Sequence, residues 1–161
     1  MAERLSYTDE FIAGLLKSVR TIALVGASAN PAKASHIVMK YMQGKGYRVI
    51  PVNPGLAGQT LLGEEVRADL GGIREPVDMV DAFRNAEAMP PIAEAAVRLK
   101  AKVLWMQLGI VSERAAEIAR AGGLEVVMDR CPKMEYGRLS GEMGFFGVDP
   151  RIVSSRRRRL I

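Results

Sequence analysis

Short apolar runs alternate with longer stretches in which apolar residues recur every three or four positions along most of this 161-residue chain. The short runs predict strands, and the longer stretches predict amphipathic helices. The predicted strands cover residues 21–25, 47–52, 76–81, 101–106 and 124–127, and the predicted helices cover residues 35–45, 90–100 and 112–121. Such alternation predicts an α/β fold in which helices cover both faces of a parallel sheet of about five strands.

The chain is expected to form a single Rossmann-like, doubly wound domain with a short segment at each end. Thr8 is a good helix cap, and Phe11, Ile12, Leu15 and Leu16 share one face of the helix that it would begin. We therefore divide the chain into an N-terminal helix at 1–17, the domain itself at 18–141 and a basic tail at 142–161. The glycine-rich stretch at 55–65 predicts a loop with a short strand near 59–61, and a helical turn is expected near 67–70.

The amino-acid composition excludes some kinds of site and some kinds of partner. One cysteine excludes an internal disulfide or a multi-cysteine zinc site, and one histidine excludes an imidazole cluster for a metal. The first residues contain no long apolar stretch, so a cytoplasmic protein without a membrane segment is expected. Part of the net charge of +5 comes from the run at 156–159, which is more typical of a solvated or dimer-edge terminus than of a nucleic-acid surface.

The segment from residue 21 to residue 35 carries the most information about function. Its apolar run breaks at Gly26 and passes through a polar loop into a predicted helix. Free N–H groups and the helix dipole at such a start stabilise an anion by about 0.3–1 kcal/mol per charge. Ser28 and Pro31 stand where the dinucleotide fingerprint G-x-G-x-x-G has its second and third glycines. The turn therefore favours a phosphate group but disfavours a standard NAD site.

The second predicted strand ends in Asn53-Pro54, where a dinucleotide-binding fold places an acidic residue for the ribose hydroxyls. An uncharged donor at Asn53, with cations at Lys33 and Arg84, suits a ribose that carries a phosphate instead. Coenzyme A has such a ribose and a diphosphate, so it fits both features.

Unusual residues follow the end of every predicted strand, which is the strongest argument from the residues for a single site. In parallel α/β sheets these carboxyl ends meet at one edge, where ligands bind. We therefore expect five loops to converge on one cleft; they are residues 26–28, 53–54, 83–84, 107–109 and 129–133.

Five motifs in these loops, taken in order, carry a family resemblance. They are Gly26-Ala-Ser-x-x-Pro31-x-x-x-Ser35, Val52-Asn53-Pro54, Val80-Asp-Ala-Phe83-Arg84, Trp105-Met-Gln107-x-Gly109 and Asp129-Arg130-Cys131-Pro132-Lys133. From about residue 18 to beyond residue 141 the chain resembles the small stand-alone CoA-binding proteins, whose domain is similar to the N-terminal CoA-binding domain of the succinyl-CoA synthetase α subunit. The resemblance implies CoA or acyl-CoA as ligand and these binding residues: Gly26, Ala27, Ser28, Pro31, Lys33, Ser35, Val52, Asn53, Pro54, Phe83, Arg84, Gln107, Gly109 and Cys131.

Several of these residues also have a purely structural interpretation. Gly26 could serve only a tight turn with Ser35 and its neighbours capping the helix, and Asn53-Pro54 could be an ordinary turn. Cys131 could be a buried packing residue, or it could form a mixed disulfide with the CoA thiol if it is exposed at the cleft. His36 is not expected to be catalytic, and it does not correspond to the phosphorylated histidine of the full succinyl-CoA synthetases, which belongs to another domain.

The expected function is therefore CoA or acyl-CoA binding. No nucleophile–base pair, metal-ligand cluster or paired-carboxylate motif accompanies the nucleotide turn, which favours a binding module over an enzyme. One alternative is an NAD(P)-dependent oxidoreductase in which Arg84 or Lys33 takes a 2′-phosphate. Another is the CoA-binding subunit of a split acyl-CoA ligase, with an ATP-grasp chain as its partner. The amphipathic first helix and the tail are also compatible with a homodimer.

Overall fold

A parallel five-stranded sheet with helices on both faces forms the body of the protein. The computed structural model describes residues 5–141 and, for the backbone, residues 143–144 and 147–148. The helices are α1 (Asp9–Ser18), α2 (Ala34–Gly44), α3 (Met89–Arg98), α4 (Glu113–Ala121) and α5 (Pro132–Leu139). The strands are β1 (Thr21–Val25), β2 (Arg48–Val52), β3 (Thr60–Leu61), β4 (Glu64–Glu65), β5 (Met79–Ala82), β6 (Val103–Met106), β7 (Glu125–Val127), β8 (Met143–Gly144) and β9 (Gly147–Val148).

The strand order of the main sheet is β2-β1-β5-β6-β7, and every pairing in it is parallel. The chain therefore runs outward from β1 to β2 and then returns to the other side of β1. This reversal leaves the carboxyl ends of β1 and β5 side by side, with their loops leading to opposite faces of the sheet. The prediction of a doubly wound, single-domain α/β fold with five strands is confirmed, and the reversal point is where such folds bind ligands.

The two faces of the sheet bury separate apolar clusters. One cluster contains Ile12 and Leu16 of α1, Met39 of α2, Trp105 of β6 and Tyr136 of α5. The other is built from α3, α4 and the segment between β4 and β5, and it is rich in small residues; among its members are Leu70, Ile73, Val80, Ala93, Ala96, Leu104, Ala115 and Ala119. Because α1 shares a cluster with the sheet, it forms part of the same body.

Several helix boundaries follow the capping chemistry that the sequence predicts. Thr8 accepts a hydrogen bond from the Phe11 N–H, and Ser112 accepts one from the Ala115 N–H. The expected proline pair stands in the first turn of α3, after a 3₁₀ turn that Asn85 caps. Helix α2 ends one residue earlier than predicted, with Lys45 at the cap and Gly46 just beyond it at φ 96°.

Three predictions of secondary structure need correction. The short strand near 59–61 exists as β3, but it pairs with an unpredicted antiparallel partner, β4. The helical turn lies at Leu70–Gly72, where the Asp69 side chain caps it, instead of at 67–70. Residues 132–139 form α5, which was not predicted because Gly137 and Pro132 disguise its helical spacing.

The strands that follow β1 in the main sheet begin later than their apolar runs do. The clearest case is β5, predicted from residue 76 and observed from Met79. Just before it, Asp78 Oδ2 accepts hydrogen bonds from the N–H groups of Arg20 and Thr21 at 2.9 and 3.0 Å. The Asp78 carboxylate thus satisfies the two N–H groups at the start of β1, which a longer β5 would otherwise pair.

Within the described residues, no helix combines the length and the apolar character needed to cross a bilayer. The basic run at 156–159 lies outside the described residues.

Candidate functional site

Two adjoining cavities open at the carboxyl edge of the sheet. The turn cavity, about 650 Å³, lies over the loop between β1 and α2, and the arginine cavity, about 760 Å³, lies on the side of α3. Gly26, Asn53 and Phe83 line both cavities, so the two are parts of one cleft. These residues follow β1, β2 and β5, the three strands around the reversal point of the sheet.

The turn cavity is formed by the β1–α2 loop and the start of α2. Lys33 occupies the cap position of α2, and no side chain caps this helix end. The first N–H groups of any helix point outward without helical acceptors, and the dipole makes this end positive. With the exposed Lys33 ammonium at its rim, the cavity is suited to an anion; its lining residues are Gly26, Ala27, Ser28, Ala29, Asn30, Lys33, Ala34, Ser35, Asn53, Gly55, Leu56 and Phe83.

Hydrogen bonds from three elements hold the β1–α2 loop in place. The N–H groups of Gly26 and Ala27 both donate to Val52 O of β2, at 3.0 and 3.2 Å. The Asn53 amide donates to Ala27 O at 2.8 Å. His36 Nδ1 lies 2.9 Å from Ser28 O and must carry the hydrogen, because a carbonyl oxygen can only accept.

These contacts change the interpretation of several predicted residues. The N–H groups of Gly26 and Ala27 are already bonded to β2, so the donors open to an anion are those of the first turn of α2. Ser35 is not the helix cap; it lies inside the first turn of α2 and is 6% exposed. His36 is 9% exposed and fixes the loop, a structural role that accounts for its position without catalysis.

Asn53 is the residue that connects the loops of the site. Its Nδ2 donates to Ala27 O, while its Oδ1 accepts from the Gly55 N–H at 2.8 Å, so both ends of the amide are used. Its own N–H donates to Arg67 O at 2.9 Å. The interpretation of Asn53-Pro54 as an ordinary turn is thus too narrow, since the side chain also joins β2 to the turn after β1.

An ion-pair network behind Asn53 braces this part of the chain. Both terminal nitrogens of Arg67 bond to the Glu75 carboxylate, at 3.0 and 2.6 Å, and Arg48 of β2 reaches the same carboxylate at 3.0 Å. The hydrogen bonds from Arg67 hold the pKa of Glu75 well below its ordinary value, at about 2. Because Arg67 also bridges to β2 at Val52, this network fixes the backbone from which Asn53 projects.

The arginine cavity combines an apolar wall with two arginines and one carboxylate, that of Asp69, whose Oδ1 accepts from the Gly72 N–H. Leu70 and Ile92 belong to the apolar side, and the exposed side chains of Arg84 and Arg98 supply the positive charge. Sequence reasoning found Arg84 but missed Arg98. A signal was available, since Pro91, Ala95 and Arg98 stand on one face of a helix at spacings of four and three residues.

Other predicted site residues do not line either cavity. Pro31 is exposed on the loop, and Gln107 and Gly109 lie one strand further along the same edge. The Gly109 N–H donates to Asp129 Oδ1 at 2.7 Å, which ties the loop after β6 to the loop after β7. Cys131 is 7% exposed and belongs to the apolar cluster around α5, as the packing alternative requires.

The sequence of this chain is similar to those of known proteins. Residues 20–137 match the CoA-binding domain family, which is most of the chain. The chain belongs to the CoA-binding domain family. Protein YneT of Bacillus subtilis, which is uncharacterized, is 38% identical over 122 residues, covering 76% of this chain and 89% of YneT. The predicted resemblance to CoA-binding proteins is therefore confirmed at the level of the family.

Solved structures agree with this CoA-binding domain. A Thermus thermophilus protein, described only as cell-free ID.343, superposes with a TM-score of 0.78 and 36% identity, covering 82% of this chain and 98% of that one. A dinucleotide-forming acetyl-coenzyme A synthetase of Candidatus Korarchaeum cryptofilum shares the fold with a TM-score of 0.58 and 20% identity. That match covers 70% of this chain but only 27% of the synthetase, so the shared fold is one portion of that larger enzyme.

Proposed function

We propose that this CoA-binding domain binds CoA or an acyl-CoA across the two cavities, with the diphosphate in the turn cavity and the adenosine end in the arginine cavity. The observation that carries the proposal is the pairing of two cation-bearing cavities that share Gly26, Asn53 and Phe83. CoA carries phosphate groups at two separate places, on the diphosphate and on the ribose 3′-oxygen. Lys33 lines the turn cavity, and Arg84 and Arg98 line the arginine cavity, so each cavity has a cation for one of these two phosphate positions.

The diphosphate is assigned to the turn cavity because that cavity combines the uncapped start of α2 with Lys33. The assigned diphosphate contacts are the first-turn N–H groups of α2, the Ser28 hydroxyl and the Lys33 ammonium. Ser28 Oγ accepts a hydrogen bond from the Asn30 N–H at 3.1 Å, which leaves its own hydrogen to donate.

The adenosine is assigned to the arginine cavity because a flat aromatic base needs an apolar slot with a charged rim. Leu70 and Ile92 provide the apolar surface, and Arg84 and Arg98 provide the partners for a ribose phosphate. Asn53 stands between the two cavities, where the ribose would lie. Its amide is an uncharged group, and a carboxylate at this position would repel a phosphorylated ribose.

The pantetheine arm is assigned to the loops after β5 and β6. Phe83 lines both cavities and directly follows β5. The neighbouring strand in the sheet is β6, and the loop after β6 begins at Gln107. The proposal assigns binding and no reaction to this chain. A role as the CoA-binding subunit of a split acyl-CoA ligase is the second candidate, since a related fold is one portion of an acetyl-coenzyme A synthetase.

Two measurements test the function. Native mass spectrometry of freshly purified protein should show a retained ligand with the mass of CoA or an acyl-CoA. In a thermal-shift assay, CoA at 100 times its dissociation constant should stabilise the fold by about 2.7 kcal/mol, which raises the melting temperature by about 5–11 °C for a domain of this size. NAD and NADP should give no comparable shift.

The same measurements separate the alternatives. A shift with NADP and none with CoA would replace the proposal by the oxidoreductase alternative, because NADP also carries a ribose phosphate. Co-purification with a larger ATP-binding chain would favour the ligase subunit, whereas a chain that purifies alone or as a homodimer and retains CoA would favour a stand-alone binding module.

A further inference from the structure

Two buried oxygens on neighbouring strands lack hydrogen-bond partners. They are Asp81 Oδ1 in β5 and Gln107 Oε1 just after β6. Within the described part of the chain, the remaining buried side-chain atom of this kind is Arg67 Nε, in the ion-pair network beside β2. Buried polar atoms in folded proteins are nearly always hydrogen-bonded, so each of these two oxygens requires a partner.

The strand register places both side chains on the same face of the sheet. Asp81 pairs with Trp105 in the β5–β6 ladder, and side chains alternate between faces along each strand. Trp105 belongs to the apolar cluster on the α2 and α5 side, and Gln107 follows it by two residues. The Gln107 N–H still donates to Ala82 O at 3.3 Å, so the ladder and its alternation extend to Gln107.

Asp81 and Gln107 are therefore diagonal neighbours on adjacent strands. A strand spacing of about 4.8 Å and a two-residue rise of about 6.6 Å put their Cα atoms about 8 Å apart. That separation is within the combined reach of an aspartate and a glutamine side chain. Each side chain is thus within reach of the other's unpaired oxygen.

The Asp81 and Gln107 oxygens can form a hydrogen bond with each other only if one of them carries a hydrogen. Asp81 is 1% exposed, and burial raises the pKa of its carboxyl well above the ordinary value, which favours the neutral acid. A neutral carboxylic acid has an O–H that can donate to the amide oxygen of Gln107. A half-turn of the Gln107 amide would give the equivalent bond with the donor and the acceptor exchanged.

Asp81 and Gln107 lie beside Phe83, the residue of β5 and its loop that lines both cavities. Phe83, which lines both cavities, follows Asp81 by two residues and packs against the same apolar cluster. The Phe83 N–H donates to Val25 O at 2.8 Å, so Phe83 still belongs to the ladder. Gln107 is consequently the neighbour of Phe83 on the next strand.

We propose that Asp81 and Gln107 form a buried hydrogen-bonded pair across β5 and β6, and that Asp81 thereby positions the Gln107 amide for the pantetheine arm of CoA. The inference rests on the proposed function. Pantetheine carries neutral amides, each with one donor and one acceptor, and these match the remaining capacity of a glutamine amide. Asp81 is a positioning residue in this scheme, since it acts through Gln107.

The test compares CoA with adenosine 3′,5′-bisphosphate, which lacks both the pantetheine arm and the phosphate that carries it. Adenosine 3′,5′-bisphosphate retains the adenosine end of CoA but has no pantetheine. In Asp81→Leu and Gln107→Met we expect CoA affinity to fall by about tenfold to a hundredfold, because one polar group of the pair is lost or unpaired, while adenosine bisphosphate affinity stays at the wild-type value. Asp81→Asn should restore CoA affinity, since its amide can donate to Gln107. The double variant should lose no more than either single variant.

Controls separate this role from a general loss of structure. Met79→Leu changes a fully buried residue on the same face of β5 without altering a polar group, and it should retain both affinities. If Asp81→Leu does not fold, Gln107→Met with the same two ligands decides. Equal losses for both ligands, additive losses in the double variant, or unchanged CoA affinity in Gln107→Met would each overturn the inference. A wild-type protein that binds neither ligand would overturn the proposed function itself.

Discussion

The carbonyl oxygen of Phe83 occupies the space into which a side chain on Gly26 would project. A Cβ atom placed on Gly26 would lie 2.6 Å from Phe83 O, which is closer than nonbonded atoms approach, and 3.2 Å from Phe83 C, which is a tight contact. Gly26 also has φ at 90°, a conformation that other residues rarely adopt. The glycine at the end of β1 is therefore required by the backbone after β5, and the cleft takes its shape from this close approach.

We expect Gly26→Ala to destabilise the fold by about 2–4 kcal/mol, because it combines backbone strain with an overlap that only a backbone shift can relieve. Chemical denaturation measures the change. Gly58→Ala is a matched control, since Gly58 has φ at 85° but no atom within 4 Å of the position that a Cβ would take. It should lose only about 1 kcal/mol. Equal losses in the two variants would mean that Phe83 does not constrain Gly26.

Some features of the site are visible in the local sequence. Three features depend on neighbours within a few residues, so the apolar runs reveal them. They are the glycine at residue 26, the strand-end position of Asn53 and the cap at Ser112. The contact that makes Gly26 necessary comes from Phe83, more than fifty positions away. No local pattern contains that information, so the sequence offers only a tight turn or a phosphate contact as reasons for the glycine, and not the carbonyl group of Phe83.

The ion-pair network and the α3 side of the arginine cavity were missed for the same reason. Arg67, Glu75 and Arg48 form one network only because the loop after β2 returns to the edge of the sheet. Arg98 reaches the site from the end of α3, whereas sequence reasoning searched only the loops that directly follow strands. The edge of the sheet that carries the cleft was predictable from the strand ends, but the second wall of the cleft required the packing of α3.

The Asn53 amide should be essential for ligand binding. Asn53→Asp removes the donor to Ala27 O and places a carboxylate between the two proposed phosphate positions. We expect CoA affinity to fall by about tenfold or more in isothermal titration. Gln43→Glu is the matched control, since the Gln43 amide donates to Leu62 O at 3.0 Å on α2, and the same charge change occurs away from the cavities. A Gln43 variant that loses as much affinity would show that the effect is one of net charge.

The cations of the two cavities should discriminate between different phosphates. Arg84→Met and Arg98→Met keep an apolar stem but remove the charge, and each should weaken CoA about five- to tenfold while leaving 3′-dephospho-CoA unaffected. Lys33→Met should weaken both ligands equally, because both carry the diphosphate. Arg120→Met, at an exposed position in the last turn of α4, serves as the control. If Lys33→Met instead affects CoA alone, the assignments of the two cavities are reversed.

The Arg67–Glu75 ion pair should make the free energy of unfolding depend on pH in the acidic range. The pKa of Glu75 is lowered to about 2 in the folded protein, so the folded state prefers the ionised carboxylate. The resulting stabilisation is complete above the ordinary glutamate value of about 4.3 and is lost as the pH falls from there toward 2. The carboxylate is 28% exposed, so we expect only about 1–2 kcal/mol. Glu75→Gln should remove that amount at pH 7 and only a small part of it near pH 2 in urea unfolding, because the carboxylate is half ionised at a pH equal to its pKa; a difference that is independent of pH would contradict the ion pair.

The burial of Cys131 leads to a prediction about its reaction with CoA disulfide. Cys131 is 7% exposed, and it precedes Pro132 at the start of α5, within the apolar cluster that includes Trp105. Thiolate attack on a disulfide requires access to the sulfur, so oxidised CoA should not modify the folded protein but should add one CoA mass after denaturation. Cys131→Ser should bind CoA as the wild type does, because the phosphate and adenosine contacts lie in the two cavities. Rapid formation of an adduct in the folded protein, removed by dithiothreitol and absent in Cys131→Ser, would instead place the thiol of bound CoA beside Cys131.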